Sequence, residues 1–156
     1  MLLKLGLALG RRDFVPEDLP EGGARLLFDW WERSRGERLM PSREDFSPSE
    51  MRAILPDLAM FDVERDPHRY RVRLYGTGLA AKTGTDLSGR YIDEIPGAEQ
   101  VAARCDQLVA QRVPYFREGL QARWADNSWR EYDVLSLPLS QTGARVDIIL
   151  FYLSFH

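Results

Sequence analysis

The sequence predicts an α+β domain built on a five-stranded antiparallel sheet. Five runs of residues have the alternation or the apolar content of strands, and two longer runs have the apolar spacing of helices. Their order is helix, short helix, two strands, helices, three strands, which is typical of one α+β domain. The predicted strands are residues 57–65, 69–76, 115–124, 130–139 and 146–155, and the longer helices are about residues 22–34 and 97–112.

The first helix is predicted from one broad apolar face. Residues at positions i, i+3, i+4 and i+7 are Ala24, Leu27, Phe28 and Trp31. Trp30 widens the face, and Gly36 is a C-terminal stop. We expect this helix to cap the outer face of the sheet. The candidates for that cap, or for a dimer contact, are Leu27, Phe28, Trp30 and Trp31.

Residues 47–56, SPSEMRAILP, predict a second, short helix. Ser47 is a suitable N-cap, Pro48 takes the first helical position, and Glu50 completes a capping box. Pro56 ends the helix, because proline cannot continue the hydrogen-bond ladder.

The predicted strands differ in how much of their surface is apolar. In residues 69–76, Tyr70, Val72 and Leu74 share one face and arginines share the other, which is typical of an antiparallel strand with one wet face. Residues 148–153 are apolar on both faces. We therefore expect the last strand to be central and covered from both sides.

Length and composition favour one soluble domain. The chain has 156 residues, of which 44% are hydrophobic and 29% charged. A net charge of −3 gives no basic surface for nucleic acid. We expect residues 1–21 to form a loosely ordered tail and residues 22–156 a single domain. Within it, residues 22–35 form the N-terminal helix and residues 57–155 the sheet and helical core.

The first residues and the cysteine count bear on the compartment. The run MLLKLGLALGRR is too short to span a membrane, and its arginines follow the apolar part instead of preceding it. Cys105 is the only cysteine, so no intramolecular disulfide and no thiolate metal cluster can form. We expect a cytoplasmic protein with no integral membrane segment.

The glycine-rich stretch YGTGLAAKTGTDLSGRY, residues 75–91, resembles a dinucleotide fingerprint at Gly76, Gly78 and Ala81. That motif needs a buried parallel strand before it and a long helix after it. Here the preceding strand carries arginines on one face, and Gly84 interrupts the following helix after about five residues. We therefore interpret these glycines as backbone devices for turns, with no phosphate to bind.

The ordered set of segments resembles the PAS domain, and in particular the group of short, stand-alone bacterial PAS proteins. The stretches that carry the resemblance are LMPSREDFSP (39–48), ILPDLAMFDVERD (54–66), YRVRLYGTGLAAKTGTDLSGRYIDEI (70–95) and the three closing strands. The resemblance covers about residues 24 to 155. It implies a five-stranded sheet flanked by short helices, with a ligand pocket between the sheet and the helices.

No residue pattern points to catalysis, a metal or a cofactor. The resemblance implies that haem would need a histidine on a helix beside the pocket, but His68 lies in a predicted turn and His156 is the last residue. Flavin photochemistry would need a cysteine where this chain has GLAAKTG, and Cys105 has the spacing of a core residue. The acidic run DVERD alternates along a strand, so its side chains diverge. We expect no enzyme, no metal and no cofactor.

Two arginines and an Asp-x-Ser pair echo a cyclic-dinucleotide motif. Arg65 and Arg69 have Arg-x-x-x-Arg spacing, and Asp86 and Ser88 follow. The next glycine, Gly89, falls too early for that motif, and the arginines lie in or beside a hairpin turn. We interpret the match as coincidence.

Numerous aromatic residues leave two interpretations of the interior open. They either form a packed core or line a cavity with apolar area and polar tips. By position in the family, the candidates for a pocket are Phe61, Leu74, Tyr75, Leu79, Tyr91, Phe116 and Tyr132.

Two functions follow from these interpretations. The first is a sensory or regulatory domain that binds a small apolar or amphipathic molecule and signals by contact with a partner protein. The alternative is a ligand-free dimerisation or interaction module of a bacterial signalling pathway. We expect a homodimer in either case, because the first helix and the last strand offer more apolar surface than one small domain needs.

Overall fold

The computed structural model describes residues 12–126, 128 and 130–156. It contains three α-helices and five strands in this part of the chain, with four short 3₁₀ turns between them. The helices are α1 (Gly23–Arg35), α2 (Thr77–Thr83) and α3 (Glu99–Gln111). The strands are β1 (Leu58–Glu64), β2 (Arg69–Tyr75), β3 (Tyr115–Gln121), β4 (Glu131–Leu139) and β5 (Ile148–Phe155).

The strands form one sheet in the order β2-β1-β5-β4-β3, and every neighbouring pair is antiparallel. The predicted α+β fold with a five-stranded antiparallel sheet is confirmed. β5 lies in the centre, between β1 and β4, and most of its residues are buried. Its alternate side chains face two different layers, so its apolar character on both faces is used.

Helix α1 covers one face of the sheet, which we call the outer face. Gly23, at its start, lies against the ring of Tyr152 on β5. Trp31 is 3% exposed, and its indole N–H donates to the carbonyl oxygen of Pro138 on β4 at 2.8 Å. Trp30 is 1% exposed and donates to the carbonyl of Asp45 at 3.2 Å. Both indoles are therefore buried with their polar atom satisfied, as buried tryptophans normally are.

The segment before α1 packs on the same face. Phe14 and Leu19 are buried, and the Phe14 ring lies 5.5 Å from that of Phe28 and 6.4 Å from that of Phe116. The expected loose tail, residues 1–21, thus has an anchored portion at residues 14–19. Residues 1–11 lie outside the described part of the chain.

Residues 48–54 form consecutive turns, so the short helix predicted at 47–56 is wrong. The N–H of Met51 is shared between the carbonyls of Ser47 and Pro48, and Ile54 donates back to the carbonyl of Met51. Only Leu55–Asp57 forms a 3₁₀ turn, with Pro56 inside it. Helices shorter than about 12 residues are marginal, and Pro56 limits the run that begins at Ser47, so the capping signals there did not produce a regular helix.

Strand β2 contains an irregularity that the alternation did not predict. Met60 pairs with Leu74 and Phe61 pairs with Val72, so Arg73 is left without a partner. Such a bulge reverses the direction of the following side chains. Leu74 is consequently 38% exposed and Tyr75 is buried, whereas the sequence predicted Leu74 on the dry face.

Gly76 and Gly84 have different roles around α2. A Cβ on Gly76 would lie 2.2 Å from the carbonyl oxygen of Pro56, so the absence of a side chain allows two backbone segments to touch. Gly84 ends α2 in the left-handed conformation, with φ at +82°. The segment before Gly76 is an antiparallel edge strand and α2 has only seven residues, so the dinucleotide interpretation stays rejected.

The two edges of the sheet are formed by β2 and β3. Along β2, Val72 donates its N–H to the carbonyl of Arg90 at 2.8 Å and accepts from the N–H of Gly89 at 2.7 Å. Along β3, pairing with β4 is interrupted between Arg117 and Leu120. Among the helices of the described residues, none has the length and apolar character needed to cross a bilayer.

Candidate functional site

A cavity of about 40 Å³ lies between α3 and the inner face of the sheet, opposite α1. This volume exceeds the roughly 10–15 Å³ that one water needs. It is far below the roughly 300–1,000 Å³ of sites for drug-sized ligands. Most of its walls are apolar, and these side chains are Ala59, Phe61, Leu87, Ile92, Ala98, Val101, Val134, Phe151 and Leu153.

Tyr75 reaches the cavity with its hydroxyl already engaged. Thr83 donates its hydroxyl proton to the carbonyl of Leu79 at 2.7 Å, so the 2.8 Å contact between Tyr75 and Thr83 has Tyr75 as donor. The indole N–H of Trp124 donates to the Tyr75 oxygen at 3.3 Å. Burial raises the pKa of Tyr75, which keeps this hydroxyl neutral. Tyr75 therefore shapes the wall and has little bonding capacity to offer a ligand.

Arg104 brings the only charge into the lining. It projects from α3, and its Nη2 donates to the Tyr132 hydroxyl at 2.7 Å. Tyr132, on β4, is 2% exposed, and its ring lies 5.0 Å from that of Trp124 in an edge-to-face arrangement. Burial raises the pKa of Tyr132, and the Arg104 charge only partly offsets this. The phenol thus keeps its own proton for donation.

Ser136 and Tyr115 face each other across β4 and β3 and complete the polar part of the lining. Burial raises the pKa of Tyr115 to about 12, with Ser136 and Arg104 partly opposing the shift. The Ser136 hydroxyl is fully buried and makes no hydrogen bond of normal length and angle within the described residues; its contact with the Tyr115 hydroxyl, which helps to lower the pKa of Tyr115, is a weaker one. An unsatisfied buried hydroxyl costs about 1–3 kcal/mol. The other buried side-chain atoms without a hydrogen bond in the described residues are the Nε atoms of Arg43 and Arg130, which do not line the cavity.

The structure brings three of the seven predicted pocket residues to this cavity: Phe61, Tyr75 and Tyr132. Phe61 packs on Phe151 with ring centres 4.6 Å apart, which forms the wall on the β1 and β5 side.

The other four predicted pocket residues lie elsewhere. Leu74 points to solvent because of the bulge at Arg73. Leu79 is fully buried in the core without lining the cavity. Tyr91 lies beyond β2, where the Arg69 guanidinium stacks 3.6 Å from its ring centre. Phe116 is on the outer face, against Phe14.

The four residues predicted for the helix cap or a dimer contact are all buried inside the chain. Leu27, Phe28, Trp30 and Trp31 are each at most 3% exposed. They cover the sheet, so the apolar surface on which the dimer expectation rested is used within one copy. The large exposed hydrophobic side chains among the described residues are Val15, Leu26 and Leu74.

Sequence reasoning missed Arg104, Trp124, Tyr115 and Ser136 as lining residues. For Arg104 a signal was present. Val101, Arg104, Cys105 and Leu108 have i, i+3, i+4 and i+7 spacing, so a charge interrupts the apolar face of α3. Ser136 likewise interrupts the apolar run of β4 from residue 134 to 139, although a serine there had no distinguishing pattern.

Other sequence candidates are engaged in structural contacts. His68 contacts Asp106 at 3.1 Å and His156 contacts Asp133 at 2.9 Å, and neither histidine is among the lining residues. Arg69 binds Asp93 through two bonds of 2.7 Å, and Arg65 donates to the carbonyl of Val146. Within the residues that the structure describes, no cluster of His, Cys, Asp and Glu could hold a metal ion.

Comparison with known proteins identifies the family. The family model described as a PAS domain matches residues 21–153. Two solved structures, both of the PAS domain of the histidine kinase ThkA, are similar at 13% and 11% identity, with TM-scores of 0.48 and 0.47. Each similarity covers 62% of this chain and 97% of the other chain. No curated protein matches. The family match confirms the resemblance found in the sequence, and this chain belongs to the PAS domain family.

Proposed function

We propose that this PAS domain is a sensory module whose inner cavity binds a small amphipathic molecule. PAS domains are generally sensory or signalling modules. The observation that carries the proposal is a small apolar cavity whose lining includes a connected set of polar groups, at Arg104, Tyr115, Tyr132 and Ser136. Apolar walls with a few placed polar groups are the usual composition of a ligand site.

A route for the signal starts on β4, which carries Tyr132 and Ser136 on its inner face. Two residues after Ser136, the carbonyl of Pro138 accepts the indole N–H of Trp31. A ligand that shifts β4 would therefore act on α1 through this bond. The changed position of α1 would be read by a partner protein, which is the second part of the proposal. Arginines on the exposed surface of α1, such as Arg33, give that partner polar contacts.

Native mass spectrometry of the purified protein tests the ligand. A discrete extra mass that leaves on denaturation is the expected result. The variant Ala59→Val adds two carbons to the cavity wall and should lose that mass while remaining folded by circular dichroism. The matched control Ala80→Val changes a half-buried alanine that does not line the cavity and should keep it. A bare polypeptide mass in wild type, together with no binding in the titrations described below, would overturn the proposal.

Signal transfer has its own readout. The indole N–H resonance of Trp31 in ¹⁵N-labelled protein should move when the cavity is filled, because its acceptor lies on the strand that carries Tyr132. A fixed Trp31 resonance during saturable binding would remove α1 from the route.

The small volume favours a second candidate, the ligand-free interaction module. A 40 Å³ space is compatible with a core that side chains nearly fill. Under this candidate Ala59→Val raises or preserves stability, and no small molecule binds in wild type. The native spectrum also gives the oligomeric state. A homodimer would have to use surface other than Trp30 and Trp31, which are buried within one copy.

A further inference from the structure

The charge that Arg104 brings to the cavity has no counter-charge in the protein. The described residues include every aspartate and glutamate of the chain. Arginines on the surface pair with them, as Arg69 does with Asp93 and Arg73 does with Asp62. Arg104 makes no such pair: its Nη2 donates to the neutral hydroxyl of Tyr132, and it also contacts the hydroxyl of Tyr115. A guanidinium has five N–H donors, so these two neutral partners leave part of its hydrogen-bonding capacity unused.

Two further groups with spare capacity lie beside Arg104. Tyr132 accepts from Arg104 and retains its proton for another acceptor. The Ser136 hydroxyl is buried, lines the cavity and makes no hydrogen bond of normal geometry among the described residues, since its contact with the Tyr115 hydroxyl is a weaker one. One cation, Arg104, and the hydroxyls of Tyr115, Tyr132 and Ser136 therefore border one apolar space. Each of them would gain from a group that only accepts hydrogen bonds and carries negative charge.

We propose that the ligand is a small organic carboxylate, with its carboxylate at Arg104, Tyr132 and Ser136 and its short apolar tail against Phe61 and Phe151. The inference rests on the proposed function, because it names the chemical class that the same cavity takes. A cationic ligand would be repelled by the positive charge of Arg104. A wholly apolar ligand would leave Ser136 unsatisfied at a cost.

The size of the cavity limits the tail. About 40 Å³ admits a chain of a few carbons and excludes a long acyl chain. Arg104 is half-buried whereas Tyr132 and Ser136 are buried, so the carboxylate is largely desolvated together with its tail. The charge of Arg104 compensates for that desolvation, because burying an ion without a partner carries a large cost.

Butanoate and 1-butanol form a matched pair of probes with the same tail. We would titrate each into ¹⁵N-labelled wild type and follow the amide resonances of Tyr132 and Ser136. Charge-assisted hydrogen bonds to the carboxylate should make butanoate bind about 10- to 100-fold more tightly than 1-butanol. In Arg104→Gln that preference should fall to about threefold or less, since the charge is gone and the polar side chain remains.

Two variants serve as controls. Arg33→Gln removes a cation from α1, on the opposite face of the sheet, and should keep the full preference. Ser136→Ala should weaken butanoate several-fold while the midpoint of urea unfolding stays equal or rises. That combination separates loss of a ligand contact from loss of folding, because removing an unsatisfied hydroxyl does not destabilise.

The outcomes distinguish the two proposals. Binding of both probes with equal affinity, unchanged in Arg104→Gln, would overturn the carboxylate inference and leave the sensory function standing. Shifts confined to residues around surface arginines would also overturn it. Failure of both probes to shift the cavity resonances, together with a bare native mass, would overturn both proposals.

Discussion

The two faces of the sheet come from alternate residues of the same strands, yet they are completed differently. On the outer face, α1 places Trp30 and Trp31 against the sheet, and both indole N–H groups have carbonyl acceptors. On the inner face, α3 leaves a cavity of about 40 Å³, and the Ser136 hydroxyl makes no hydrogen bond of normal geometry. The outer face has a space of its own, about 70 Å³ beside Gly23 and Tyr152. The two faces therefore differ in how well their buried polar groups are satisfied, and the inner face gives up some of that satisfaction. Departures of this kind concentrate at functional sites.

The largest expected effect on stability is on the outer face. Trp31→Ala removes a buried ring and the bond to Pro138, and should lower the free energy of unfolding by about 3–5 kcal/mol in urea denaturation. The control Leu26→Ala changes a 40% exposed side chain of the same helix and should cost less than about 1 kcal/mol. Similar costs for the two variants would mean that α1 does not cover the sheet as described.

A smaller effect on stability is expected at Gly76, which follows the cavity-lining residue Tyr75. Gly76→Ala would place a methyl group 2.2 Å from the Pro56 carbonyl oxygen and force the chain after Tyr75 to move. We expect a loss of about 1–3 kcal/mol in the free energy of unfolding. The exposed neighbour Thr77 gives the control, because Thr77→Ala meets no such contact. An unchanged Gly76→Ala protein would contradict the close approach.

Two buried serines, one in β4 and one just after it, differ in their hydrogen bonding. Ser140 accepts the N–H of Gly143 at 2.8 Å, so Ser140→Ala should cost about 1 kcal/mol. Ser136→Ala should leave the free energy of unfolding unchanged or raise it, because the Ser136 hydroxyl makes no hydrogen bond of normal geometry in the described residues. The difference between the two unfolding midpoints is the measurement. Equal losses would show that Ser136 is satisfied in solution.

The smallest effect is a pH dependence beside the outer face. Burial tends to raise the pKa of Asp45, but bonds from the Ser42 N–H and from Arg38 outweigh it and lower the pKa. A lowered folded pKa gives stability that is present at neutral pH and lost as the carboxylate is protonated. Wild type should therefore exceed Asp45→Asn in stability at pH 7, and the gap should close below about pH 4.

Asp29→Asn, which changes an exposed carboxylate of α1, is the control for that titration. The difference in free energy of unfolding between Asp29→Asn and wild type should stay nearly constant across the same pH range. A gap for Asp45→Asn that is as large at about pH 2 as at neutral pH would assign its effect to something other than the charge.

The fold was predictable because its signals are periodic. The helical spacing around Trp31 and the doubly apolar run of β5 each indicate one element and its burial. The bulge at Arg73 was not predictable, because a single unpaired residue leaves the composition of the strand unchanged. That one residue decides that Leu74 is exposed and that Tyr75 reaches the cavity.

The site was predictable only in part, since its lining comes from segments far apart in the sequence. Tyr115, Trp124 and Ser136 meet only after β3, β4 and α3 have packed. Arg104 was accessible in principle, because a charge in the apolar stripe of α3 demands an explanation. At residues 47–56, the helix signals at Ser47 and Pro48 were outweighed by the approach to Pro56 and β1.

The interrupted edges of the sheet bear on how this protein avoids polymerising. An open edge strand offers a template on which further chains add as in fibrils. On β2 that template is occupied by the backbone of Gly89 and Arg90. On β3 the ladder breaks where Gly119 turns at φ +67° and donates its N–H to the Asp133 side chain. A sheet with such edges resists growth by strand addition, so recognition of another molecule through it has to rely on side chains.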